Sequence, residues 1–358
     1  MRLCSWHVQL FIWSIIIIDF SFSVCTLAQL HDPNPSNGDN FGAAISIENE
    51  LILIGSPLDD SIDTNVGQAH LFDANSRRLL LTIDDPTVTT LDNFGSAVCI
   101  DSRRLLISAP LDSSFGPLVG QVYLFDDDGK LLQTYNDPTA TQSDLFGSSI
   151  AIKKNFVVVG SPGDDSLNFG NGQAHIFDAL SGELLSTLND PTGSSFDAFG
   201  STVATDGIWV AIGDVGDDTD GFGTGQVHIF DLETGDFAFT ISDPTPTLGD
   251  SFGSALAIQD GIAVISATGD DTLGENTGQV YVYNLETNDH LSTIDHPEPA
   301  DHERFGTSIS LQLPHLVVGA PGDSEFSDTP GKTFVFDLAC NQQLASFDNS
   351  SNVADENF

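Results

Sequence analysis

From residue 41 onward the chain runs in short apolar bursts separated by Gly, Asp, Ser and Asn. The stretch "FGSSIAIKKNFVVVGSPGDDSLNFGNGQAHIFDALSGELLSTLNDPTGSSFDA" shows one full unit. "SSIAI" alternates with period two, "KKN" turns, and "FVVVG" is a continuous β-branched run. A Gly/Asp/Ser-rich loop leads to "GQAHIF", and "DALSG" turns into "ELLSTL". Period-two alternation and short apolar runs bounded by turn residues predict strands and no helices. Asp178, with equivalents Asp73, Asp126, Asp231 and Asp337, opens the last turn, where its carboxylate can accept from the backbone ahead.

The unit recurs. Phe41, Phe94, Phe146, Phe199, Phe252 and Phe305 each precede a Gly and follow one another at intervals of 52 or 53 residues. Four short antiparallel strands in a repeat of that length predict the blade of a β-propeller, an all-β fold. The eight residues Pro138 to Leu145 connect one blade to the next. Extended, they reach roughly 26 Å, enough to cross a four-stranded blade roughly 14 Å wide. The final "DENF", Asp355 to Phe358, falls where a seventh copy would open. We therefore read six complete blades, forming either a six-bladed ring or a seven-bladed one cut one blade short.

Within these units, "DLFGSSIAI" followed by "VVVGSPGDD", and "ERFGTSISL" followed by "LVVGAPGDS", resemble the FG-GAP repeat. That resemblance spans residues 41–358. It implies the propeller of integrin α subunits and of many secreted or surface bacterial proteins. Integrin-type blades carry an Asp-x-Asp-x-Asp-Gly calcium loop before the second strand. Here "ENE", "DSRR", "KKN", "TDG", "QDG" and "QLPH" occupy that place. These turns offer too few oxygens for Ca²⁺, which takes six to eight. The chain resembles the bacterial variety that lacks the calcium loop.

Strand order assigns every loop to a face. Hairpins one–two and three–four share one face; the loop between strands two and three shares the other with the blade-to-blade crossover. Arg77, Arg78, Arg103, Arg104, Lys130, Lys153 and Lys154 fall on the hairpin face, and no Lys or Arg lies between Lys154 and Arg304. The crossover face repeats its acids. Asp59, Asp112, Asp164, Asp217, Asp270 and Asp323 follow the second strand, and Asp60, Asp165, Asp218 and Asp271 come next. A further acid stands two residues before each repeated Phe, from Asp39 to Glu356. These carboxylates are expected to ring one mouth of the propeller with negative potential and form a ligand-binding face. Turn capping explains the same residues without a ligand. In blades three and four, Asp164, Asp165, Asp217, Asp218 and Asp220 are the candidate Ca²⁺ ligands.

Composition narrows the partners. With 52 acidic and 10 basic residues, the net charge of −42 opposes binding to nucleic acid and to anionic lipid. Residues 1–28 carry Arg2, an apolar run from Leu10 to Ile18 and a cleavage site after Ala28, the pattern of an export signal. The mature chain would be one propeller domain, residues 29–358, secreted or on the cell surface, with no membrane insertion. Cys99 and Cys340 lie at different repeat positions and are not expected to pair.

His70, His175 and His228 share a repeat position with Tyr123, Tyr281 and Phe334, so the position asks for a flat ring rather than a metal ligand. His290, His296 and His302 break the repeat beside Glu298, Asp301 and Glu303, as does Asp214 in blade four. No nucleophile elbow or metalloprotease motif occurs. The leading expectation is a non-enzymatic binding or adhesion module for an extracellular protein or glycan. A hydrolase or lyase with its site at the channel mouth, and a structural segment of a larger surface protein, are the alternatives.

Overall fold

A computed structural model describes residues 30–36, 38–322 and 331–348. The export signal, Asp323, Glu356 and the final "DENF" lie outside the described residues. Among the described residues, twenty-four strands form six four-stranded antiparallel sheets, each with its strands in chain order. Blade one comprises Ala44–Glu48, Leu51–Ser56, Gln68–Asp73 and Leu79–Asp84; blade two Val98–Asp101, Arg104–Ala109, Gln121–Asp126 and Leu131–Asn136. Blade three comprises Ser149–Lys153, Phe156–Ser161, Gln173–Asp178 and Leu184–Asn189; blade four Phe199–Thr205, Trp209–Asp214, Gln226–Asp231 and Phe237–Ser242. Blade five comprises Phe252–Gln259, Ile262–Ala267, Gln279–Asn284 and Asp289–Asp295; blade six Ser308–Gln312, His315–Ala320, Lys332–Asp337 and Gln342–Asp348.

The two middle strands of each blade are buried almost throughout, because neighbouring blades cover both faces of blades two to five and Leu30 and Phe41 cover one face of blade one. This explains why "FVVVG" reads as a continuous apolar run rather than an alternating one. In every blade the third and fourth strands slip register once, as between Ile176 and Phe177, a bulge that increases the twist. The last hairpin is set by its Asp: Asp178 Oδ1 accepts from Ser181 N at 2.7 Å, and Asp231 Oδ1 from Thr234 N at 2.8 Å.

The core lies between blades. Phe199 packs with Val158 and Ile176 of blade three and with Val210 and Ile212 of its own blade. Phe94, Phe146, Phe252 and Phe305 are equally enclosed, all at 0% exposure. The glycine after each Phe makes this approach feasible. Gly200 has φ +90°, and a Cβ there would stand 2.4 Å from the carbonyl oxygen of Gln173. Polar bonds also cross the seams on both sides of blade four: Ser149 Oγ donates to Gly200 O at 2.8 Å, and Thr202 Oγ1 to Gly253 O at 2.6 Å.

First strands pack on one another in order from blade one to blade six. Among the described residues, the first strands of blades six and one make no comparable contact. Phe41 is accordingly half-buried, and its cluster draws only on Leu30 and blade-one residues such as Ile52, Ile54 and Phe72. Cys99 and Cys340 do not pair with each other. Basic residues on the hairpin face brace neighbouring blades: Arg104 donates to the carbonyl of Lys154, and Lys154 Nζ to that of Gly207 at 3.1 Å.

Candidate functional site: the crossover face and the acids beneath it

Each crossover segment lies between the second-to-third-strand loops of two blades. Leu91, Asn93 and Phe94 donate their N–H groups to Thr64, Asn65 and Val66 of blade one, while Asp92 O accepts from Leu111 of blade two. The crossover thereby roofs the first acid of each loop. Asp59, Asp112, Asp164, Asp217 and Asp270 are at most 1% exposed, not a solvent-facing ring. Each closes a tight turn, as where Asp112 Oδ1 accepts from Ser114 N at 2.8 Å. Except at Asp59, the second oxygen meets the crossover threonine: Thr87 Oγ1 is 2.8 Å from Asp112 Oδ2, and Thr192 Oγ1 is 2.9 Å from Asp217 Oδ2.

The second acid of each pair stays at the surface. Asp60, Asp165, Asp218 and Asp271 are exposed. Each accepts a backbone N–H five residues ahead, from Asn65, Gly170, Gly223 and Asn276 respectively. They shape the loop while holding its charge in water. Of the candidate Ca²⁺ ligands, Asp164 and Asp217 are therefore separated from Asp165, Asp218 and Asp220, which face outward. Asp164 instead joins Asp137 and Asp144, and Asp217 joins Asp197 and Asp214, with ligand atoms within 4.8 Å of one another.

These buried groups are a repeated device. An Asp-Pro-Thr step supplies Asp85, Asp137, Asp190 and Asp243, and the acid before each Phe supplies Asp92, Asp144, Asp197 and Asp250. Burial is the largest influence on Asp85 and Asp243 and pushes each up to about 6, despite the bonds from Thr87 and Thr245. Asp92, Asp137, Asp144 and Asp250 are raised for the same reason. Like charges this close do not all ionise without a proton or cation among them.

A pH dependence follows with a definite sign. Asp85 holds its proton to about 6 rather than 3.8. Its contribution to stability is thus complete below 3.8 and is lost as pH rises through about 6. Asp85→Asn should gain on the parent protein between pH 4 and 7 by up to about 3 kcal/mol, at 1.36 kcal/mol per unit. Urea unfolding of both proteins at several pH values measures this; a difference independent of pH would contradict it.

Blade six substitutes for the carboxylate. His296 stands at the Asp-Pro-Thr position, fully enclosed, with Nε2 2.9 Å from Glu303 Oε2 and Nδ1 accepting from Glu298 N at 3.1 Å. Burial first, then Lys332, lowers its pKa to about 4. His290 packs on Tyr281 and Tyr283, and His302 lies 4.0 Å from Glu275, so the three repeat-breaking histidines do not converge. The flat-ring position is filled as the repeat suggests: His175 packs on Phe146, and its Nδ1 lies 3.2 Å from Thr187 Oγ1.

Charge patterning does not reveal one feature of this face. Phe115, Leu167, Phe169, Phe196, Phe222 and Leu248 are exposed by 54% to 76%. All sit in second-to-third-strand loops or crossovers of blades two to four, and the rings of Phe169 and Phe196 meet edge to face at 5.2 Å. Their sequence signal is a large apolar residue inside a Gly/Asp/Ser-rich loop, as in "SLNFGNG" and "TDGFGTG".

Residues 26–72, 137–177, 185–230 and 242–283 match the FG-GAP repeat family. No curated protein matches the chain.

Proposed function

We propose that this chain, whose FG-GAP repeats fold into a propeller of six blades, is a non-enzymatic extracellular module that binds a partner through its crossover face. The observation that carries this reading is the set of solvent-exposed Phe and Leu side chains on that face, interleaved with Asp60, Asp165, Asp218 and Asp271. Exposed apolar anchors rimmed by charge are the usual composition of a recognition surface. The acidic rim favours a protein partner that presents Lys and Arg; a glycan is the second reading. The carboxyl groups gathered at close quarters lie buried beneath the loops rather than in an open cleft, which supports binding over hydrolysis or lysis. The export pattern of residues 1–28 supports a place outside the cell or on its surface.

Arrays of extracellular proteins and of glycans test this reading. The protein should bind at least one target, with affinity falling as salt rises. Absence of binding on both arrays, together with turnover on a panel of polysaccharide or ester substrates, would overturn it.

A further inference from the structure

One seam departs from the repeat. The second strand of blade four ends in Asp214, where the other blades have Ser56, Ala109, Ser161, Ala267 and Ala320. Asp214 is 0% exposed, and neither carboxylate oxygen has a hydrogen-bond partner. His228 is equally enclosed. Its Nδ1 is held by Thr240 Oγ1 at 2.9 Å, and its unpartnered Nε2 lies 3.3 Å from Asp214 Oδ2 and 3.9 Å from Asp190 Oδ1. Asp190, Asp214 and His228 bring ligand atoms within 4.8 Å of one another, as do Asp197, Asp214 and Asp217.

Two readings of Asp214 compete: a proton shared with its buried neighbours, or a cation among the carboxylates and the ring. The convergence of four buried carboxylates and an imidazole on one seam favours the cation. Asp190 accepts four hydrogen bonds, from Thr192 N and Oγ1, Asn171 Nδ2 and Gly193 N, the surroundings of a carboxylate. In blade three Ser161 Oγ donates to Asp137, and in blades two and five a tyrosine hydroxyl donates to Asp112 and Asp270. The group that faces Asp214 is His228 Nε2, which carries a hydrogen when Thr240 Oγ1 donates to Nδ1 and presents a lone pair to an ion when Nδ1 donates to Thr240. Ligands with bonds near 2.1 Å stand about 3.0 Å apart at a right angle and about 4.2 Å apart across the ion, and the 3.3 and 3.9 Å spacings here fall between.

We propose that Asp190, Asp214 and His228 bind one divalent first-row cation, with Asp197 and Asp217 supplying further negative charge beside it. The mixed donor set selects the metal class: carboxylates suit Mn²⁺, imidazole suits Zn²⁺ and Fe²⁺, and an imidazole nitrogen disfavours Ca²⁺. Thr240 serves as the outer partner that orients the ring, so Nε2 faces the ion. In blade one, Asp32, Asp59 and His70 form a counterpart in which Asp32 is half-buried and Ser56 stands where blade four has Asp214.

The test is refolding from urea with MnCl₂ or with EDTA, followed by desalting and metal analysis. The parent protein should retain about one Mn²⁺ per chain, unfold at higher temperature than the EDTA sample and show ¹⁴N coupling in pulsed EPR. Asp214→Ala installs the residue of blades two, five and six, so it should fold yet lose at least nine-tenths of the metal. His228→Tyr installs the residue of blades two and five and should abolish the ¹⁴N coupling. Three results would overturn the proposal: a folded parent protein that retains no Mn²⁺, an Asp214→Ala protein that retains as much as the parent, or bound Mn²⁺ without nitrogen coupling.

Discussion

Phe199→Ala should destabilise the protein by about 3–5 kcal/mol, the cost of deleting a fully enclosed aromatic side chain. Phe199 is 0% exposed between Val158 and Ile176 on one side and Val210 and Ile212 on the other. The cavity would lie between two rigid sheets that cannot collapse toward each other without breaking the bond from Ser149 Oγ to Gly200 O. Phe41→Ala at the same repeat position should cost less than half as much, since Phe41 is half-buried and packs only on Leu30 and blade one. Urea unfolding of the two variants measures the difference. Equal losses would mean that the contact between blades six and one is as tight as the other five.

The second large effect concerns backbone approach. Gly172 has φ +82°, and a Cβ there would lie 2.1 Å from Phe199 O and 2.8 Å from Phe199 N. Gly193 has φ +70° and nothing within 4 Å of the same position. Both alanines would suffer the left-handed backbone, at about 1–2 kcal/mol. Only Gly172→Ala must also push the Phe199 backbone away, breaking the 2.9 Å bond from Phe199 N to Asn171 O. We expect Gly193→Ala to lose about 1 kcal/mol and Gly172→Ala roughly 3 kcal/mol or more. Thermal unfolding of the pair separates φ strain from collision, and equal losses would deny the collision.

Most of the architecture was legible because it repeats. The Phe interval, the β-branched second strand and the Asp at the last turn each recur, and each has one physical job that a reader of residues can name. The acids were legible as a set but not by depth. Asp164 and Asp165 are adjacent and identical in type, yet one is roofed by the crossover and the other projects into water. Only the path of Asp137 to Asp144 over the loop distinguishes them, and composition does not show that path. The recurring Asp-Pro-Thr step carried the missing signal, since its Thr hydroxyl bridges Asp137 and Asp164 at 3.0 and 2.8 Å. Asp214 stood out as a break in the repeat, but its approach to His228 depends on how the second and third strands of blade four pair.

We propose that exposed apolar side chains on the crossover face make this propeller a binding module. The most direct measurement takes a target from the extracellular arrays and compares its affinity for the parent protein, for Phe169→Ser/Phe196→Ser/Phe222→Ser, and for Ile208→Ser. Ile208 is 58% exposed in a first-to-second-strand hairpin, on the opposite face. Loss of hot-spot side chains costs about 2 kcal/mol or more. The triple variant should therefore bind at least tenfold more weakly, while Ile208→Ser binds like the parent. Equal affinity of all three proteins, or loss confined to Ile208→Ser, would contradict a binding role for this face.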